Sequence, residues 1–171
     1  LMAGSMSRGA AYSFVRLGRS LERADMATRI IDVGSGNLLP DIGSGAKQAE
    51  SNEPYENTLW MNILRSLTAY QMYRQHVKHR VNGEDVVRFL LQDDDFPRAA
   101  THALTTITKV LKNLPKNNKS TTQVNKTLRM IEKGNISKLL DAGLFQYIDD
   151  LQVEIAKIHT SIVDTWFLPH K

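Results

Sequence analysis

The sequence predicts an all-α fold, and three observations support this. Apolar residues recur at alternating three- and four-residue steps in several long stretches, which is the period of an amphipathic helix. No stretch alternates apolar and polar residues with period two, and clusters of Gly, Asn, Asp and Pro separate the periodic stretches. With 171 residues, of which 42% are hydrophobic, the chain is long enough for one core. We therefore predict one domain over residues 1–171, a bundle of about five to seven helices.

Two long helices are predicted in the first half of the chain. The first runs from residue 5 or 7 to Val33, and Gly34-Ser35-Gly36 ends it. Residues 34–54 are rich in Gly, Ser, Asn and Pro and predict a long flexible loop. A second helix is expected over residues 55–80, before Asn82-Gly83.

The second half predicts shorter helices and one long helix near its end. The run Asp93-Asp94-Asp95, followed by Pro97, predicts the cap and first turn of a helix that ends near Leu114. Asn135 is expected to cap a short segment ending at Gly143. The remaining helices are expected over residues 86–91, 121–133 and 144–166.

Composition excludes several classes of protein. The absence of cysteine excludes disulfide scaffolds, thiolate metal sites and a cysteine nucleophile, and it suits the reducing cytoplasm, where we expect the protein to lie. No apolar run approaches the roughly 18–20 residues of a membrane span, so we expect no membrane partner. The net charge of +4 is a mild field, and the basic second half lacks interleaved aromatic residues, so we expect no nucleic-acid partner.

The predicted first helix carries an unusual number of charges among its apolar residues. Arg19 and Glu22 lie three residues apart, and Asp25 and Arg29 form an i,i+4 pair. Arg16, Arg19 and Arg23 form a cationic row that requires carboxylates or an anionic ligand. Two hypotheses give these charges a role, a buried network in which Glu22 clamps the bundle, which we favour, or an anion site; the third possibility is a simple solvated face. The candidate residues for either are Arg19, Glu22, Arg23, Asp25, Arg29 and Arg98.

Other chemistry is weakly indicated. His76 and His79 are spaced to share a metal ion, but their neighbours are cationic. The run Asp93-Asp94-Asp95 could hold Mg²⁺, although helix capping already explains it. Since no nucleophile motif accompanies a histidine, we predict no catalytic residue, no metal and no cofactor.

The first helix also resembles a family signature. The stretch Leu17-Gly18-Arg19-Ser20-Leu21-Glu22-Arg23-Ala24-Asp25 is similar to the Glu-Arg motif of the bacterial alpha-E domain family, and the similarity continues to Asp32. It extends in order through most of the chain, at residues 60–73, 89–91 and 96–99. The resemblance implies an all-helical fold. Full-length members resemble a tandem of two related halves, and this sequence resembles the C-terminal half.

The resemblance also implies a functional setting. Family members are usually encoded beside, or fused to, ATP-grasp ligase-like and transglutaminase-like proteins, in systems proposed to make or modify peptides. We therefore expect a non-catalytic accessory module, whose partner is one of those proteins, the missing N-terminal half or a second copy of the chain. The alternative is an enzyme or anion-binding subunit that uses Glu22 with Arg19, Arg23 and Arg29 on an acidic or phosphorylated substrate.

Overall fold

The computed structural model describes residues 5–36, 53–141 and 143–168, which are helical apart from turns and short connections. The predicted all-α fold is confirmed, and the described helices number one more than the upper end of the expected range. They are α1 Ala10–Gly36, α2 Glu53–Ser66, α3 Tyr70–His76, α4 Gly83–Gln92, α5 Ala100–Leu111, α6 Asn118–Lys133, α7 Ile136–Asp141 and α8 Leu144–Trp166. Within the same residues, no helix is both long enough and apolar enough to cross a membrane.

Helix α1 forms one wall of a filled core. It packs most extensively against α5 and α8, and α6 packs against the same two helices. The side of α1 that faces them presents Leu17, Ala24 and Ile31, each at most 2% exposed. Facing residues of α5 and α8, such as Leu104 and Ile158, are fully buried. The long apolar stripes of the sequence therefore meet in one continuous core.

The predicted second helix is in fact two helices. The chain leaves α2 at Ser66, and Thr68 adopts a left-handed conformation with φ of 53°. The guanidinium of Arg98, thirty-one residues further on, donates a hydrogen bond of 2.8 Å to the backbone carbonyl of Leu67. Arg74 lies on α3 and donates hydrogen bonds to the backbone carbonyls of Lys78 and His79. These two residues belong to the segment after α3, which is not helical. The expected helix over residues 55–80 is therefore interrupted at residues 67–69 and ends at His76.

The run of aspartates begins the connection between α4 and α5 rather than the helix itself. Asp93 follows α4, and its carboxylate accepts hydrogen bonds from the backbone N–H groups of Asp95 and Phe96, at 3.0 and 2.6 Å. Helix α5 begins only at Ala100 and ends at Leu111, so both predicted ends were displaced. By contrast, the side chain of Asn135 does accept a hydrogen bond from the N–H of Lys138, at 3.2 Å, as expected of a cap.

The predicted loop over residues 34–54 begins too early. Helix α1 continues through Gly36, and Gly34 is buried. A Cβ atom at Gly34 would lie 3.1 Å from the ring of Trp60, so this glycine permits close packing of α1 on α2. Residues 37–52, where the flexible loop was expected, lie outside the described residues.

Candidate functional site

Four charged residues of α1, Arg16, Arg19, Glu22 and Arg23, share the side of the helix that faces away from the core, whereas Asp25 and Asp32 are half-buried. We call this surface the outer face of α1 and define it by residues at helical spacing that lie opposite the packed side. It consists of half-buried Val15 and exposed Arg16, Gly18, Arg19, Glu22, Arg23 and Met26.

Glu22 is exposed, and the clamp hypothesis is therefore wrong. At 100° per residue, Glu22 lies about 140° from Leu17 and about 160° from Ala24, the residues that α1 buries. Within the described part of the chain, Glu22, Arg19 and Arg23 make no hydrogen bond or ion pair. These three side chains are presented to solvent as free charges.

The cationic row on the outer face has no carboxylate partner among the described residues. The guanidinium of Arg16 lies over the ring of Tyr12, 5.9 Å from its centroid, and Arg8 lies over the same ring at 5.0 Å. Such cation–π contacts are worth about 0.5–1 kcal/mol at exposed sites, and they leave the positive charge in place. The face therefore retains an excess of positive charge around Glu22.

Asp25 and Arg29 pair with each other, as their spacing predicted. The Nε atom of Arg29 lies 2.7 Å from a carboxylate oxygen of Asp25. The hydrogen bond to Asp25 raises the pKa of Arg29 above its ordinary value. Because the arginine side chain is 60% exposed, the pair adds little stability.

Arg98 does not join the charged residues of α1. Its guanidinium satisfies the carbonyl of Leu67 at the end of α2, which is a structural role. The six candidate residues thus divide into three groups: the free charges Arg19, Glu22 and Arg23, the pair Asp25–Arg29, and Arg98 at the α2–α3 connection.

Two shallow surface depressions lie away from the outer face of α1. One follows α6, and the other lies at the α2–α3 connection, where Arg65 and Tyr70 line it. The lining of the α6 depression is Thr122, Asn125, Lys126, Arg129, Met130 and Lys133. Neither of these two depressions includes a residue of the Glu-Arg stretch.

The two histidines singled out by spacing do not converge. A ring nitrogen of His76 lies 3.8 Å from a carboxylate oxygen of Asp93, whereas His79 lies 3.5 Å from Asp85. In the part of the chain that the structure describes, no three His, Asp or Glu residues are grouped so that they could hold a metal ion.

A buried carboxylate on α8 escaped the sequence reasoning. Glu154 is 9% exposed and lies 2.7 Å from the Nζ of Lys157 and 2.9 Å from the Nζ of Lys126. It also accepts a hydrogen bond of 2.7 Å from the amide of Gln123. The hydrogen bond from Lys157 is the main cause that lowers the pKa of Glu154 to about 2, against its burial. The signal in the sequence that could have identified Glu154 was a single carboxylate between the apolar residues Leu151 and Ile155.

A second exposed surface also went unnoticed. We call it the outer face of α8 and define it by exposed Phe145, Asp150 and Val153 and half-buried Asp149, which lie at helical spacing opposite the buried stripe of that helix. Phe145 is 55% exposed and Val153 is 52% exposed. The large apolar side chains turned outward around two aspartates were the signal that could have identified it.

The fold and the outer face of α1 define an all-helical domain with a Glu-Arg dipeptide displayed on its first described helix. A family model for the Alpha-E domain, described as a predicted alpha-helical domain with a conserved ER motif, matches residues 1–167. The chain therefore belongs to the Alpha-E family. No curated protein and no solved structure matches it. The match runs through the chain as a single span, and the expectation that this is only a C-terminal half stays a prediction.

Proposed function

We propose that this Alpha-E domain is a non-catalytic helical accessory module that binds a partner protein through the outer face of α1. The observation that carries the proposal is the contrast between the two sides of this helix. The inward side is filled by residues such as Leu17 and Ala24, whereas Arg19, Glu22 and Arg23 are exposed without a partner in the described chain.

The chemistry of the outer face suits a protein surface rich in carboxylates. Guanidinium groups recognise carboxylates through paired N–H donors, and Arg19 and Arg23 lie one helical turn apart. Met26, 47% exposed, and Val15 supply apolar contact beside the charges. A mixed apolar and arginine-rich surface is typical of protein interfaces.

The partner that we propose is an ATP-grasp ligase-like or transglutaminase-like protein of a bacterial peptide-ligase or peptide-modification system. This part of the proposal rests on the family resemblance.

An anion-binding or enzymatic role is the second candidate, and one observation favours it. The row Arg16, Arg19 and Arg23 has no carboxylate partner among the described residues, so it could accept an acidic or phosphorylated ligand. In that case Glu22 would contact the ligand directly. The two proposals predict different bound species.

Co-purification distinguishes them. The full-length protein is isolated with its genomic neighbours, and both the protein partners and any bound small anion are identified by mass spectrometry. Capture of a neighbour should be lost in the double variant Arg19→Glu, Arg23→Glu and kept in the control Arg129→Glu, which reverses an exposed arginine on α6. Retained capture by the double variant would overturn the proposed docking face. A small phosphate or carboxylate compound released only from the parent protein would favour the second candidate.

A further inference from the structure

The outer face of α8 is an unpartnered surface with a definite pattern. Asp149 and Asp150 lie between two exposed apolar residues, Phe145 and Val153, each within four residues of the nearer aspartate. In the described part of the chain neither aspartate forms an ion pair, and Asp150 accepts a hydrogen bond of 3.1 Å from the amide of Gln146. The face is therefore negatively charged, with apolar residues at both ends.

The outer face of α1 has the same pattern with the opposite charge. Its arginines lie between Val15 and Met26, about 16 Å apart along the helix at 1.5 Å per residue. Phe145 and Val153 are about 12 Å apart by the same rise. The α1 face is therefore longer by about 4 Å, just under one helical turn, so arginines can meet aspartates while one apolar end of each face is in register with the other.

The two faces lie apart within one copy. Phe14, near the start of α1, contacts Trp166 at the end of α8, with ring centroids 5.7 Å apart. Helices α1 and α8 pack on each other, and each outer face lies opposite the buried side of its helix, so the two faces do not meet within one copy. Consistent with this, no arginine of the outer face of α1 pairs with an aspartate of α8 among the described residues.

We propose that the outer face of α8 is a docking surface and that its occupant is the outer face of α1 of a second copy of this chain. The inference rests on the proposed use of the α1 face as a docking surface, and it adds a second surface and a specific partner for it. Asp149 and Asp150 of one copy pair with Arg19 and Arg23 of the next.

Charge complementarity favours this occupant over a symmetric pairing of two α1 faces. Two α1 faces would bring together several guanidinium groups for each Glu22, so like charges would repel. The α1–α8 arrangement joins different surfaces of two copies, so it is head-to-tail. Such an interface leaves one free face at each end of a dimer and permits further copies to add. The interaction should weaken as salt screens the charges.

Charge-reversal variants test this arrangement. Sedimentation velocity of the full chain is measured over a concentration series at low salt. The α1-reversed variant carries Arg19→Glu and Arg23→Glu, and the α8-reversed variant carries Asp149→Lys and Asp150→Lys. Each alone should associate at least about tenfold more weakly than the parent, a loss of about 1.4 kcal/mol. The control Arg129→Glu should associate like the parent, and circular dichroism should show every variant folded.

Mixing the two variants gives the decisive result. The α8-reversed copy keeps its α1 face and the α1-reversed copy keeps its α8 face, and the reversed faces, Glu on α1 and Lys on α8, also carry opposite charges. Mixing should therefore restore the association that each variant lacks alone. A monomeric parent protein at high-micromolar concentration, or unchanged association of the α8-reversed variant, would overturn the inference. Because that variant keeps the α1 face, it should still capture the partner of the proposed function. If the α8-reversed variant no longer self-associates but still captures the partner protein, both proposals are supported. If it still self-associates but no longer captures the partner protein, the inference of α1–α8 docking is refuted.

Discussion

Two glutamates on long helices of this domain, Glu154 on α8 and Glu22 on α1, have opposite surroundings. Glu154 is 9% exposed and contacts Lys157 on its own helix and Lys126 and Gln123 on α6, and the last two contacts join α8 to α6. Glu22 is exposed, and within the described residues nothing pairs with it, although arginines lie one and three residues away in sequence.

The difference shows that neighbours in sequence do not determine whether a charge is paired. Lys126 reaches Glu154 from another helix, whereas Arg23 is adjacent to Glu22 and points elsewhere on the helix surface. Tertiary packing therefore decides which carboxylate supports the fold. A charge that pairs with nothing in the fold is available for binding. The outer face of α1 is therefore a better candidate for function than the group around Glu154.

Removing the charge of Glu154 should produce the largest effect. Glu154→Gln keeps the shape but loses both ion pairs, and we expect a decrease of about 2 kcal/mol in the free energy of unfolding. The loss stays below the 3–5 kcal/mol of a fully buried pair because the lysine side chains are more than half exposed. Urea unfolding at neutral pH measures it. A midpoint equal to that of the parent would show that the α6–α8 contact adds no stability.

Acid should remove the same contribution from the parent protein. The folded-state pKa of Glu154 is about 2, below its ordinary value of 4.5, so the stabilisation is present above pH 4.5 and is lost as the pH falls toward 2. The difference in unfolding free energy between the parent and Glu154→Gln should therefore shrink from about 2 kcal/mol at pH 7 to less than about 0.5 kcal/mol at pH 2. Thermal or urea unfolding across this range measures it. A difference independent of pH would mean that the charge is not its source.

Substituting alanine for two glycines, one packed against a buried side chain and one exposed, should change the stability in opposite directions. A Cβ at Gly83 would lie 2.7 Å from the indole nitrogen of Trp60, which is 2% exposed, so Gly83→Ala should cost about 1–2 kcal/mol. A Cβ at Gly18, on the outer face of α1, would meet nothing within 4 Å, so Gly18→Ala should stabilise the helix by about 0.5–1 kcal/mol. Thermal unfolding of both variants gives the signs. Destabilisation by Gly18→Ala would indicate that the fold itself needs this space.

Sequence periodicity was sufficient for the fold class and for α8, because the stripe from Leu144 to Trp166 is long and its inward side is buried. It failed at the α2–α3 break, because the contact that satisfies Leu67 comes from Arg98, far along the chain. It also failed at Glu22. Apolar residues on both sides of α1 suggested burial all round, but Met26 and Val33 are 47% and 66% exposed.

The candidate site was only partly accessible from the sequence for the same reason. The local pair Asp25–Arg29 was predicted because both partners lie on one helix, one turn apart. The group around Glu154 was not predicted, because Gln123 and Lys126 approach it from α6. Pairs that depend on how two helices dock have no signature in the spacing of a single helix.

The smallest expected effect is the most informative about Glu22. Because this carboxylate is exposed and makes no ion pair in the described chain, Glu22→Gln should change the free energy of unfolding by less than about 0.5 kcal/mol. Urea unfolding of this variant beside Glu154→Gln compares the same chemical change in the two settings. A loss above about 1 kcal/mol would contradict the exposed and unpaired position of Glu22. If stability is unchanged while capture of the partner protein falls, the Glu-Arg motif acts in binding, since a substitution that leaves the fold intact can then affect only the surface that α1 presents.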